Sequence, residues 1–576
     1  MARKTVGEAL IEGLENVGVR HIYGVVGDSL NAITDALFRR KIIEWIHVRH
    51  EEAAAFAAGA AAQISGELAV CAGSCGPGNM HLINGLYDAH RSGAPVLAIA
   101  AQVPSGEIGS DYFQETNPQA LFKDCSYFCE SVSKPEQLAT LLYTAIQTAI
   151  TKKGVAVLVI SGDVASQLLN SEENTFQMTK VLCPIITPPK PELVKIAAIL
   201  NESKKVTLFC GYGTKGAHAE LIQLATTLKS PIVHTLRGKE FVEYDNPFDV
   251  GMTGLIGFSS GYFAMEDCDT LVLLGTSFPY RAFYPKKARI IQIDHNGSRL
   301  GRRVRIELGV VGDVKATLEE LLPMLHQKND SSFLDKARGH YVHARKDLDY
   351  LAVPSTKKAP IHPQYLTKIL SEEANDDAIF TCDVGTQTAW AARYLKMNGK
   401  RRLLGSFNHG SMANALSQAM GAQIVDKQRQ VIAMCGDGGF AMLMGEILTV
   451  AQYQLPVKII ILNNSTLGFV QLEMMANGFM NYGVELKNPN FATLAKSVGI
   501  KGIRIEDSAQ IQDGIQTAFK HKGPVIVDVV TNTYELIMPP KIKLENAKGF
   551  GLFSLKAIMS GRGDVVVDLA KSNLWE

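Results

Sequence analysis

Gly436-Asp437-Gly438, then twenty-four residues, then Asn463-Asn464: this stretch decides the fold. Apolar residues 431–435 lead into it and read as a buried strand. Gly438-Gly439 opens a segment of helical spacing over 440–453, and a second apolar run, 457–462, delivers the asparagines. Strand, glycine turn, helix and strand place Asp437 and Asn464 at the carboxyl ends of two parallel strands, where open α/β sheets bind ligands. A carboxylate and an amide oxygen form a hard, oxygen-only donor set. Mg²⁺ takes one or two carboxylates and completes its shell with phosphate oxygens and water. A glycine turn at a helix N-terminus favours the phosphate itself. The stretch therefore reads as holding a metal-bridged diphosphate. A lone Gly-Asp-Gly with a structural aspartate is the alternative, and the spaced asparagine pair speaks against it.

The rest of the chain is ordinary globular material. Its 576 residues allow three or four domains of about 150 each. Hydrophobic residues make up 46% and charged residues 20%. The net charge of +1, from 58 basic and 57 acidic residues, gives no wholesale attraction for nucleic acid. Nine cysteines are scattered; Cys71/Cys75 and Cys125/Cys129 lack the two-residue gaps commonest in zinc knuckles, so free buried thiols are expected. Thr5 can cap a helix that begins at once, with no apolar signal core ahead of it. No run approaches the ~20 apolar residues that span a bilayer. A protein made in the cytoplasm is expected, with any membrane contact peripheral.

Residues 1–183 alternate short strands and helices, with strands read at 19–26, 44–48, 68–71, 95–101 and 155–160. Arg49-His50-Glu51-Glu52 stands at a strand end before an alanine-rich helix. Glu51 there is either a helix N-terminal charge, worth ~0.3–1 kcal/mol, or a working carboxylate. Gly73-Ser74-Cys75-Gly76-Pro77-Gly78-Asn79 is a glycine turn after a strand, and Tyr112-Phe113-Gln114-Glu115 follows a loop. A proline cluster, Pro184, Pro188, Pro189 and Pro191, marks a linker into 184–337. There Gly211, Gly213 and Gly216 match Gly-x-Gly-x-x-Gly, but no acidic residue ends the next strand, 231–234. Asp294 ends a later one, and glycine loops lie at 251–257 and 275–281. Loops at successive strand ends make a groove for a dinucleotide; a plain structural α/β domain is the alternative. Residues 338–534 begin with a solvated helix and repeat the pattern, with a strand ending in Asp383-Val384-Gly385-Thr386 and a turn at 407–415. In the tail, 535–576, Pro539-Pro540 breaks the chain and Gly561-Arg562-Gly563 interrupts any helix. Val565, Val566, Leu569, Ala570 and Leu574 then form an apolar side opposite Asp568 and Lys571, with Trp575 near the end. This is either a docked C-terminal helix or one that lies in a membrane surface.

The opening stretch resembles the motif of thiamine-diphosphate-dependent enzymes, and the whole chain resembles the flavin-dependent pyruvate:quinone oxidoreductases of bacteria. The resemblance implies three doubly wound parallel α/β domains: pyrimidine-binding (1–183), FAD-binding (184–337) and diphosphate/Mg²⁺-binding (338–534), followed by a membrane-binding tail. It implies Mg²⁺ ligands at Asp437, Asn464 and the Thr466 carbonyl, with Gly438, Gly439, Ser465, Leu467, Gly468, Phe469 and Val470 around the diphosphate. Gly410, Ser411 and Met412 would touch the cofactor, Met412 propping its bend, and Glu51 would hydrogen-bond N1′ of the aminopyrimidine. FAD would lie on Thr253, Gly254, Leu255, Ile256, Thr276, Ser277, Phe278, Pro279, Tyr280 and Asp294. Phe113, Gln114, Phe469 and Glu473 match substrate-pocket positions, Glu473 assisting proton movement or orienting a water. The expected protein is a homotetramer in which Glu51 of one subunit meets the diphosphate site of another. It would oxidise pyruvate to acetate and CO₂ and pass electrons through FAD to ubiquinone, its tail binding lipid on the cytoplasmic face of the bacterial inner membrane. An oxygen- and phosphate-using pyruvate oxidase and acetolactate synthase share the cofactor and are the alternatives. Simple pyruvate decarboxylases carry an adjacent histidine pair as proton donor; no two histidines are adjacent here.

Overall fold

Three six-stranded sheets carry the chain, and every pairing within them is parallel. The computed structural model describes residues 3–169, 184–355, 360–539, 544–560 and 562–573. The first sheet uses β1 (His21–Gly24), β2 (Glu44–His47), β3 (Ala69–Gly73), β4 (Val96–Gln102), β5 (Phe128–Val132) and β6 (Val155–Ser161), in the order β2-β1-β3-β4-β6-β5. The second uses β7 (Val206–Cys210), β8 (Ile232–His234), β9 (Asp249–Met252), β10 (Thr270–Leu274), β11 (Arg289–Asp294) and β12 (Leu308–Val311), in the order β12-β11-β10-β7-β8-β9. The third uses β13 (Ile379–Cys382), β14 (Arg402–Gly405), β15 (Val431–Gly436), β16 (Lys458–Asn463), β17 (Lys501–Ile505) and β18 (Val525–Val530), in the order β14-β13-β15-β16-β18-β17. Strands covered by helices on both faces read as continuous apolar runs, which is why β4, β6, β15 and β16 are buried along their whole length.

Each strand order reverses once near its centre: between β1 and β3, between β7 and β10, and between β13 and β15. These are the switch points at which doubly wound sheets open a crevice. At the middle one, Gly213 and Gly275 bring two loops together so closely that a Cβ on Gly213 would stand 2.7 Å from the Gly275 Cα. Loop packing thus accounts for Gly211 and Gly213, on either side of the start of a 3₁₀ turn, Tyr212–Thr214, while Gly216 holds a left-handed φ of 82°.

The first and third domains share one core. Helix Glu51–Ser65 packs its alanines against helix Asn414–Val425, and Ala53, Ala57, Ala61, Ala415, Ala419 and Ala422 belong to the same buried cluster. Thr5 caps the first helix as expected, in a reciprocal box with Glu8. The helix expected over 440–453 is broken instead. It begins at Asp437, stops at Met442, turns through Met444–Glu446 and resumes as Ile447–Gln452. The break delivers the buried Glu446 carboxylate to the Arg49 N–H at 2.9 Å and sets Tyr453 to accept from the His47 N–H at 2.8 Å. The segment is shaped by the first domain rather than by its own periodicity.

The tail forms two helices, Leu544–Met559 and Gly563–Asn573. Phe553, Ala557 and Val565 bury themselves against Met475 of helix Gly468–Ala476. Lys556 donates to the Gly478 carbonyl at 2.7 Å, and Asn573 bonds the Leu536 N–H and the Tyr534 carbonyl. Leu574 and Trp575 lie outside the described residues, as does Cys183. The eight described cysteines are free, and all but Cys129 are buried. No described helix is long and apolar enough to cross a membrane.

Candidate functional site

Asp437 opens its helix directly after β15 and is buried. Its Oδ1 accepts from the Gly438 N–H at 2.9 Å, and its Oδ2 accepts from the Ser465 N–H at 2.7 Å and from Asn488 Nδ2 at 2.8 Å. Burial pushes the carboxyl up to about 6, and no ion pair among the described residues includes it. Asn488 also donates to Asn463 Oδ1 at 2.9 Å, and Asn463 donates to the buried Asp528 at 3.0 Å. The neighbouring Asn464 side chain is buried and accepts from the Thr466 N–H at 3.2 Å. The short ladder to 484–486 uses the Leu467 N–H and the Ser465 carbonyl, so the Thr466 carbonyl stays outside it. Ser465 holds a left-handed φ of 57°. Strain of this kind in a non-glycine residue, about 1–3 kcal/mol, concentrates at ligand sites.

Met412 reaches this group from another loop. A Cβ on Gly438 would stand 2.9 Å from Leu467 Cδ2 and 3.4 Å from Met412 Cε. Ala413, next in sequence, also has a left-handed φ, 65°. Ser411 accepts from Asn84 Nδ2 at 2.8 Å, which links the turn at Gly410 to the first domain. Phe469 is half-buried, while Val470 and Glu473 are exposed on helix Gly468–Ala476, the helix that the tail packs on. Sequence reasoning missed Asn488 and Asp528, which no local pattern marks. It noted Asp383 without a role; the carboxylate, which burial pushes up to about 7, accepts from the Ala415 and Gly436 N–H groups and ties the turn after Met412 to the end of β15.

In the first domain Glu51 opens helix Glu51–Ser65, with His50 as its N-cap. Glu51 is buried, and its Oε2 lies 2.9 Å from His81 Nδ1. His81 stacks on His50 with ring centroids 4.3 Å apart. No two histidines are adjacent in the sequence, but His50 and His81 stand together in space beside Glu51. Gln114 has a left-handed φ of 65°, and its Oε1 lies 3.6 Å from Cys75 Sγ, while Phe113 is 80% exposed. No hydrogen bond or ion pair among the described residues joins Glu51, Phe113 or Gln114 to the Asp437 group within the single chain.

The middle sheet gathers the remaining candidates at its carboxyl edge. Thr253 and Asp294 are buried, and Thr253 Oγ1 and Asp294 Oδ2 have no hydrogen-bond partner in the protein. Buried polar atoms without partners are uncommon and ask for an explanation. Thr276 and Phe278 are buried beside them, Ile256 and Ser277 are half-buried, and Leu255, Pro279 and Tyr280 form an exposed rim. Gly254 lies against the Phe278 ring, where its Cβ would stand 3.0 Å from Cζ.

Residues 4–121 match the N-terminal TPP-binding domain of thiamine pyrophosphate enzymes, residues 193–321 their central domain and residues 383–529 their C-terminal TPP-binding domain. The chain belongs to the thiamine pyrophosphate enzymes. It is 39% identical over 573 residues to YdaP of Bacillus subtilis (strain 168), covering 99% of either chain. It is 30% identical over 554 residues to pyruvate oxidase of Lactiplantibacillus plantarum, covering 94% of this chain and 91% of that one. It is 31% identical over 575 residues to the acetolactate synthase large subunit of Cyanidium caldarium, covering 95% and 97%.

A thiamine pyrophosphate enzyme needs a diphosphate cradle and a cation to neutralise it, and the third domain's residues fit both. A buried carboxylate outside any described ion pair, the Asn464 amide oxygen and the Thr466 carbonyl would hold Mg²⁺. Gly438 and Gly439 and the segment from Ser465 to Val470 would frame the diphosphate at two helix N-termini.

Proposed function

We propose that this thiamine pyrophosphate enzyme oxidatively decarboxylates pyruvate: pyruvate and water give acetate, CO₂, two protons and two electrons. The electrons pass through FAD to ubiquinone, which becomes the quinol. The carrying observation is the pair of buried, unpartnered oxygens on Thr253, just after β9, and Asp294, the last residue of β11, both at carboxyl ends of strands in the central sheet. A carboxylate and a hydroxyl so placed suit the hydroxyls and phosphates of a dinucleotide. Thiamine diphosphate, when bound, supplies the electron sink for decarboxylation, and the flavin accepts the electron pair. The chain's own residues orient and exclude. Glu51 presents a carboxylate to the aminopyrimidine, Met412 supports the cofactor beside Gly438, and Phe469 covers the reacting face. Glu473 orients the water that becomes part of acetate, and Phe113 and Gln114 bound the substrate pocket.

Replacing Asp294 by alanine removes a charged acceptor, worth about 1.5–3 kcal/mol, so flavin affinity is expected to fall roughly 10–100-fold. Thiamine diphosphate affinity should be unchanged. Flavin release and absorbance measure the first, and calorimetric titration the second. Full flavin retention in the variant would remove the support for FAD at this site.

The tail supports a lipid surface as the place of electron delivery. Its buried side packs on helix Gly468–Ala476, while Leu552, Leu555 (61% exposed), Ile558 and Met559 (87% exposed) face outward. An exposed apolar side of this kind suits an interfacial helix. The reading places a homotetramer on the cytoplasmic face of the bacterial inner membrane, with Glu51 of one subunit completing the diphosphate site of another. Truncation before Lys556 is expected to abolish stimulation of quinone reduction by phospholipid vesicles and to leave flavin reduction by pyruvate intact. Stimulation that survives truncation would make the tail purely structural.

A further inference from the structure

We propose that His81 is a positioning residue that decides which oxygen of Glu51 meets the aminopyrimidine of thiamine diphosphate. This requires the chain's membership of the thiamine pyrophosphate enzymes but is independent of the electron acceptor proposed above. An ionised carboxylate only accepts hydrogen bonds, so the 2.9 Å contact between Glu51 Oε2 and His81 Nδ1 puts a proton on Nδ1. The terminal torsion of a glutamate is broad and roughly two-fold; without a fixed donor either oxygen could turn toward the cofactor. The bond to His81 occupies Oε2. Oε1 has no hydrogen-bond partner among the described residues and lies over Gly78, where a Cβ would stand 3.1 Å away. Any side chain at residue 78 would crowd this oxygen, and Gly78 belongs to the turn that opens helix Pro77–Ser92, on which His81 sits.

His50 fixes the imidazole in turn. Its Nδ1 accepts from the Glu52 N–H at 3.2 Å, which places its own proton on Nε2. The two rings stack at 4.3 Å with 25° between their planes, so His81 cannot swing from Glu51 without unstacking. Glu51 also opens a helix, whose N-terminus favours its negative charge. Three residues thus set orientation and tautomer together. Sequence spacing hides this, because His81 lies thirty residues beyond Glu51.

The test compares His81→Leu and His81→Asn, since an asparagine amide can place an N–H near the position of Nδ1. The readout is hydrogen–deuterium exchange at C2 of bound thiamine diphosphate, by acid quench and NMR, without substrate. Exchange is expected to slow roughly 10–100-fold in His81→Leu, less than the ~10²–10⁴-fold of a whole acid–base group. It should recover to within about threefold of wild type in His81→Asn. A second measurement needs no cofactor: ¹⁵N shifts of histidine-labelled apoprotein, with His81 assigned by its loss in His81→Asn. These should show the Nδ1–H tautomer for His81 and the Nε2–H tautomer for His50. Wild-type exchange in a folded His81→Leu protein, or an Nε2–H tautomer at His81, would overturn the proposal. If His81→Leu does not fold, the tautomer measurement decides it.

Discussion

Asp437→Ala is expected to lose turnover by at least about 10²–10³-fold, because even outer partners of a metal site cost about 10–100-fold when removed. It should also lose the stabilisation that Mg²⁺ and thiamine diphosphate give the wild type. The carboxyl's pKa is raised to about 6 by burial, above the ordinary 3.8. A raised acidic pKa means that the folded protein holds its proton longer than the unfolded chain. The apoprotein therefore loses stability as pH rises from about 4 through 6, on the order of 3 kcal/mol in all. Above pH 6 that cost is fully present, and a divalent cation on the carboxylate offsets it. Thermal unfolding of the apoprotein should show this fall. Addition of Mg²⁺ and thiamine diphosphate should raise the midpoint of the wild type but not of Asp437→Ala. An equal rise in both proteins would place the cation elsewhere.

Gly421→Ala is expected to be strongly damaging for the addition of one methyl group. A Cβ at this position would overlap the Ala57 carbonyl oxygen across the contact between helices Glu51–Ser65 and Asn414–Val425. A backbone atom cannot turn aside as a side chain can, so the helices must part. Overpacking of this kind costs roughly 1–3 kcal/mol. The consequence for function is larger, because one helix starts at Glu51 and the other just beyond Met412. A displacement of about 1 Å at such residues can cost about 10²-fold in rate. Gly339→Ala, in an exposed helix with nothing within 4 Å, is the control and should be neutral or slightly stabilising. Activity and unfolding midpoints measure both. A Gly421→Ala protein with wild-type values would show that this helix contact does not set the site.

How much of this was legible in the sequence depended on the range of each interaction. The sheets were legible, because strands covered on both faces write continuous apolar runs such as 431–435. The Asp437 and Asn464 pair was legible because turn and strand end are fixed by short-range spacing. The broken helix after Met442 was not, because Glu446 answers to Arg49, 397 residues earlier. Asn488 was hidden for the same reason: it reaches Asp437 across fifty-one residues from a loop without pattern. The Gly-x-Gly-x-x-Gly match was visible but pointed to phosphate chemistry, whereas Gly211 and Gly213 answer to the Gly275 loop and Gly216 to a left-handed φ of 82°. Resemblance, rather than residue pattern, placed Phe113 and Gln114 at the substrate. The single chain leaves them on the first domain beside Cys75.

Anaerobic mixing of the protein with pyruvate, thiamine diphosphate and Mg²⁺, followed by flavin absorbance and product analysis, decides whether pyruvate reduces the flavin. The expected result is bleaching of the flavin without added phosphate, with acetate as the product. Flavin that stays oxidised while acetolactate accumulates would contradict it, as would bleaching that requires phosphate.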